Sequence, residues 1–215
     1  MTILQLHPRT AVVRPAGLVD VPAVVRLLAP SDTSPGLPLP VPEDSAVDWD
    51  QAQRAMRLML AHYALEEGEV WVAERADGRL LAAAVWLPPG AGSEPPHTRF
   101  ASLFARELAT AVPDEPGLPK ALKAAGVDGS HWTVVAVCAP DDTEAWDRSV
   151  VADLLAPGLR AVDAQGVGAV AATLSPRHMD QLRSLGFRQP RAARIASRVG
   201  VWLATRHPVN YLAAA

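Results

Sequence analysis

The stretch from residue 131 to residue 175 restricts the fold more than any other. HWTVVAVCAP (131–140) is a strongly β-branched run, and VGAVAATLS (167–175) is a second apolar run of strand length. Between them the pattern predicts a helix over roughly 142–164, with Pro157 expected to bend it. Two strands joined by a helical crossover lie parallel in one sheet, and such crossovers are right-handed almost without exception. A short helix, PRHMDQLRSLG (176–186), and a last strand or hairpin, ARIASRVGVWLATR (193–206), complete this half.

The first half adds antiparallel elements. AVVRP (11–15) reads as a strand ended by proline. In the helix that follows, Asp20 can act as cap, Pro22 suits the first turn, and Val24, Val25, Leu27 and Leu28 form the apolar face. Residues 48–68 have helical spacing at Ala55, Met56, Leu58, Met59 and Tyr63, with Gly68 as a stop. EVWVAE (69–74) and RLLAAAVWLP (79–88) form a hairpin around Asp77-Gly78. TRFASLFARELATAV (98–112) and PKALKAAG (119–126) read as two shorter helices. The proline-rich segments 30–47 and 88–97 are expected to be flexible loops, and 208–215 a peripheral tail. The expectation is one α/β domain spanning 1–215, with a mixed central sheet of about six or seven strands.

Charge and cysteine usage exclude several functions. A net charge of −3 without a basic stripe argues against nucleic acid or an anionic membrane as partner. No apolar run approaches the roughly 20 residues of a membrane helix. The one cysteine, Cys138, rules out an internal disulfide and a multi-cysteine metal site, so no metal is expected and a reducing cytoplasm is the simplest setting. Abundant Ala, Val, Arg and Pro suggest GC-rich, bacterial coding.

Particular segments in this order resemble the GNAT superfamily of N-acetyltransferases, and most of all its actinobacterial branch of puromycin N-acetyltransferase-like enzymes. They are EVWVAERADGRLLAAAVWLPPG, the His131-Trp132 strand opening, LLAPGLRAVDAQGVGAV with its proline, and SPRHMDQLRSLGF closing on Leu185-Gly186-Phe187. The resemblance spans nearly the whole chain. It implies a GNAT-like sheet whose fourth and fifth strands splay apart around acetyl-CoA or another acyl-CoA. It also implies that Val135–Cys138, including Val135 and Val137, pairs with the pantetheine arm, and that a glycine-rich loop wraps the pyrophosphate at a helix start. An amine attacks the thioester, and a tyrosine on the final helix often protonates the departing thiolate.

Both signatures depart from that pattern. The family's Gln-Gly-x-Gly-x-Gly falls on Trp146, Asp147, Arg148, Ser149, Val150 and Val151, without a glycine. The positional equivalents for binding the cofactor are therefore Trp146, Arg148 and Ser149. Four acids, Asp141, Asp142, Glu144 and Asp147, stand against one base, Arg148, over 141–148. Like charges cost a phosphate about 1 kcal/mol per contact in water and about 4 in a protected cleft. Asp141 to Glu144 has capping-box spacing, so a helix starting near Asp142 and capped by its own carboxylates is expected. The family tyrosine aligns with Leu182, and the asparagine before it with His178. His178 and Cys138 are the candidate catalytic groups, each with a structural alternative: His178 as a surface residue or cap, Cys138 as packing. Glu66, Glu67 and Glu69 are either a general base or a surface cluster, and Tyr63 and Trp86 either line an acceptor pocket or belong to the core. His131 opens its strand in a structural role.

Three functions follow from these residues. One is an acyltransferase acting on a small amine with an atypical donor loop. Another is a GNAT fold converted to other chemistry, as in secondary metabolism. The third is a non-catalytic protein binding a small molecule or a partner.

Overall fold

The strands are β1 (Ala11–Pro15), β2 (Glu69–Arg75), β3 (Leu80–Leu87), β4 (His131–Cys138), β5 (Gly168–Thr173), β6 (Arg188–Ala196) and β7 (Val199–Arg206). They form one sheet in the order β1-β2-β3-β4-β5-β7-β6. Only β4 and β5 run parallel; every other neighbouring pair is antiparallel. The computed structural model describes residues 11–28, 49–89, 130–139, 144–173, 178–196 and 199–209. Nearly all of the predicted loops at 30–47 and 88–97, the helices predicted within 98–126, and the tail beyond 209 lie outside these.

The helices are α1 (Val21–Leu28), α2 (Trp49–Met59), α3 (Leu65–Glu67), α4 (Arg148–Gln165) and α5 (His178–Ser184). Strand side chains alternate between two layers of core. On one face Trp132, Val134, Ala171 and Trp86 pack with Val150, Val151, Leu154 and Leu155 of α4. On the other, Val72, Ala83 and Val137 pack with Val24 and Val25 of α1. Strand β3, LLAAAVWL, is covered on both sides, which is why it reads as an unbroken apolar run.

Local chemistry sets the details. The β2–β3 turn closes with the Arg75 N–H on the Arg79 carbonyl, and Gly78 takes φ +84°, a conformation suited to glycine. Helix α4 continues through Pro157, and the next residue has to be glycine. A Cβ at Gly158 would lie 2.1–2.4 Å from ring atoms of the fully buried Trp86. Trp86 is thus a core residue, and its ring occupies the notch that Gly158 leaves.

Three expectations change. The predicted 48–68 helix is present, but a π-helical turn at Leu60–Ala64 interrupts it. This wider turn rotates the face, so Met56, Leu60 and Ala64 pack inward while Met59 is exposed. Asp20 ends a 3₁₀ turn, Leu18–Asp20, and its carboxylate reaches back to the Gly17 N–H and to Arg14 instead of capping α1 ahead of it. The final hairpin begins at Arg188, five residues earlier than predicted. Its outer strand carries a register shift between Arg188 and Arg191, with Gln189 at φ +55°.

Candidate functional site

The C-terminal end of the parallel pair is where a site can form. Strands β4 and β5 are in register from His131–Gly168 to Ala136–Thr173. β4 continues with Val137 and Cys138, still paired to Ala83 and Ala82 of β3. Among the described residues, β5 offers these two no partner. The Ala139 N–H donates to the Leu81 carbonyl at 2.7 Å. Successive peptides of a strand face opposite edges, so the Cys138 N–H is directed toward the β5 side, past the last β4–β5 pair.

Among the described residues, neutral groups lie beside this point. Thr173, the last residue of β5, is hydrogen-bonded through its hydroxyl to Nδ1 of His178, the first residue of α5. Both are buried. Burial pushes the His178 imidazole down to about 4 and the Cys138 thiol up to about 12. At neutral pH one is an uncharged ring and the other a protonated thiol, so they form no thiolate–imidazolium pair. Trp202 lies directly across from Thr173 on β7, and its buried indole N–H meets no acceptor among the described residues.

Beyond β4 the chain turns through a 3₁₀ segment, Glu144–Trp146, and enters α4 at Arg148. Asp147 is the cap: its carboxylate accepts from the Ser149 N–H and the Ser149 hydroxyl, each at 2.8 Å. The backbone N–H of Ser149 holds the Asp147 carboxyl below the usual range. The predicted cap within 141–144 is corrected here, because Glu144 is engaged elsewhere. Arg75 of β2 binds its carboxylate through Nε at 2.9 Å and Nη2 at 2.7 Å. Asp141 and Asp142 lie outside the described residues.

The other end of α4 holds a cluster that sequence reasoning missed. Arg206 grips Asp163 through two bonds of 2.7 and 2.8 Å, and each side chain is only 7% exposed. Nε of Arg206 donates to the Leu185 carbonyl, and the Val209 N–H donates to Asp163. Arg206 holds the Asp163 carboxyl below the usual range. Nearby, the Trp132 indole N–H donates to Gln165 at 2.9 Å. These partners lie 21 to 46 residues apart in the chain, and no spacing signals them.

No family model matches the sequence, and no curated protein matches it. Solved structures do. An acetyltransferase from Corynebacterium glutamicum, described with the histone acetyltransferase HPA2, aligns at a TM-score of 0.54 and 17% identity, covering 94% of this chain and 99% of its own. A GNAT-superfamily phosphinothricin acetyltransferase from Sinorhizobium meliloti, solved in complex with AcCoA, aligns at 0.51 and 13%, covering 96% and 92%. The fold is the GNAT fold. The C-terminal condensation domain of Ebony, solved in complex with beta-alanyl-dopamine, aligns at 0.51 and 8%, covering 92% and 98%.

The positions singled out from the GNAT pattern separate into three groups. Cys138 and His178 come to the same face of the sheet, at the C-terminal ends of β4 and β5. Val135 and Val137 alternate with them toward the opposite face. Arg148 and Ser149 are exposed at the start of α4. Of Trp146 the backbone is described, as the end of the 3₁₀ turn. Leu182, at the GNAT tyrosine position, is 1% exposed and belongs to the core. Glu69 accepts from the Trp71 indole N–H at 3.3 Å, Glu66 is exposed, and the side chains of Tyr63 and Glu67 lie outside the described set. No group of three or more His, Cys, Asp or Glu side chains able to hold a metal occurs among the described residues. Nor, among them, is any helix long and apolar enough to cross a membrane.

Proposed function

We propose that this chain is a GNAT-like acyltransferase that acts on a small amine and has lost the ordinary seat for the acetyl-CoA diphosphate. The observation that carries the reading is the start of α4. In the GNAT pattern the diphosphate rests on backbone N–H groups there, brought close by glycines. Here Asp147 bonds the Ser149 N–H with a carboxylate, and Val150 and Val151 pack into the core where the pattern has a glycine and its neighbour. These residues do not fit a diphosphate. The strand order around the parallel pair β4–β5, which aligns with solved acetyltransferases, supports a transferase. We place the protein in the bacterial cytoplasm on its lone cysteine and its composition, within the puromycin N-acetyltransferase-like branch, and without a nucleic-acid partner.

A second reading is a GNAT fold turned to other chemistry, such as a condensation in secondary metabolism. The likeness to the Ebony condensation domain favours it. Titration with acetyl-CoA at moderate salt tests the first reading. The expected result is no binding in the micromolar range, and micromolar binding with the diphosphate seated on residues 146–151 overturns it.

A further inference from the structure

We propose that Thr173 and His178 form a hydroxyl–imidazole pair that carries the acyl group, so that transfer runs through an ester on Thr173. This rests on the acyl-transfer reading and gives it a nucleophile.

Three observations carry it. The first is contact. The Thr173 hydroxyl is hydrogen-bonded to Nδ1 of His178. A hydroxyl with a base in hydrogen-bond reach is the mark of a nucleophile, and an imidazole nitrogen that bears no hydrogen is such a base. The second is place. Thr173 ends β5, one of the two parallel strands, and His178 begins α5. Ligands of an open α/β sheet lie outside the carboxyl ends of its parallel strands, and this hydroxyl sits at that end. The third is surroundings. Thr173 is 1% exposed and His178 5%, and the neighbouring Met179 and Leu182 belong to the core. A dry site protects an ester from hydrolysis, and close packing restricts the group carried to a small one such as acetyl. Burial also keeps the ring uncharged at neutral pH, ready to take a proton. Cys138, on the same face, does not compete, because its buried thiol keeps its proton.

Both steps balance without a further reactant. In the first, Oγ1 of Thr173 bonds the acyl carbon of an activated ester or thioester, and the bond to the leaving oxygen or sulfur breaks. The hydroxyl proton passes through Nδ1 of His178 to the leaving group. In the second, an amine nitrogen bonds the same carbon and the bond to Oγ1 breaks. The amine proton returns through Nδ1 to Oγ1. The buried ring holds a proton weakly, so it hands the proton on within each step.

4-Nitrophenyl acetate tests the pair without any cofactor. Wild type is expected to release 4-nitrophenol in a burst of about one equivalent and to gain an acetyl group that peptide mapping places on Thr173. Thr173→Val, of nearly the same shape, should show no burst, and His178→Asn should slow it about 100-fold or more. Thr173→Ser keeps both the hydroxyl and the hydrogen bond, so its burst should persist, and should be lost on adding His178→Asn. This second series decides the matter if the valine variant does not fold. No acetyl on Thr173 in the wild type overturns the proposal, as does a burst that survives Thr173→Val or that His178→Asn leaves unchanged. Acetyl transfer to a primary amine without the ester on Thr173 also overturns it, and leaves the acyl-transfer reading standing. An ester on Thr173 that water releases and no primary amine accepts supports the pair and sinks that reading.

Discussion

The two ends of α4 solve one problem in opposite ways. Each presents unsatisfied backbone groups and each has an aspartate close by. At the start, Asp147 is exposed and, among the described residues, bonds its near neighbour Ser149. At the far end, Gly166 takes φ +65° and closes the helix on the Asp163 and Val162 carbonyls. This leaves the Asp163 side chain to join Arg206, and through it β7 and the loop after α5. The far end is cross-linked and buried, while the near end is capped by the local contacts of Asp147.

The largest expected effect falls on the cross-linked end. Asp163→Ala leaves a guanidinium buried without its carboxylate and should cost about 3–5 kcal/mol in denaturant unfolding. Its pH dependence follows from the depressed carboxyl. The contribution is fully present above the unfolded value near 3.9 and is lost as pH falls through the lower folded value. Acid unfolding should therefore begin at higher pH in Asp163→Asn than in the wild type. Coincident acid transitions would show that the pair does not anchor this end.

Between the ends, Gly158→Ala drives a methyl into the Trp86 ring and should cost about 1–3 kcal/mol. Adding Trp86→Leu should recover part of that loss, because the two residues share one volume. Full additivity in a double-mutant cycle would refute the notch.

At the near end, Asp147→Ala should cost about 0.5–2 kcal/mol, with Asp147→Asn close to wild type. A loss as large as that of Asp163→Ala would erase the contrast between the ends. The smallest effect is expected at Asp180–Arg183 on α5, which is 3.7 Å apart and largely exposed. Removing either partner should change stability by about 0.5 kcal/mol or less, and added salt should remove even that.

What the sequence made legible follows the same division. The parallel pair, the Asp77-Gly78 hairpin and the helix between β4 and β5 were readable because each rests on a local pattern: β-branched runs, a turn dipeptide, apolar spacing. The cap was not. Four acids between 141 and 148 compete for one helix start, and spacing favours the pair at 141 and 144. Arg75, 69 residues before Glu144, decides otherwise by taking that carboxylate. The beginning of β6 was missed because Arg188-Gln189-Pro190 carries turn and edge residues in place of an apolar alternation. Met59 pointed the wrong way because a 3.6-residue count cannot foresee a π turn. The neutral state of His178 and Cys138 depends on burial, which no spacing encodes.

The irregular outer strand has a consequence for how the molecule behaves in a crowd. Strands at the rim of a sheet can template one another, and long flat rims seed fibres. Here one rim, β1, is five residues long and ends in Pro15. The other is broken by the left-handed Gln189 and by Pro190, and it carries the exposed cations Arg188 and Arg191. Among the described residues neither offers a continuous ladder to a second copy, and two copies of the β6 rim would meet with like charge. The protein should therefore resist polymerisation at high concentration, and a variant with Gln189→Val and Pro190→Thr, which smooths the rim, should form thioflavin-positive aggregates sooner than the wild type.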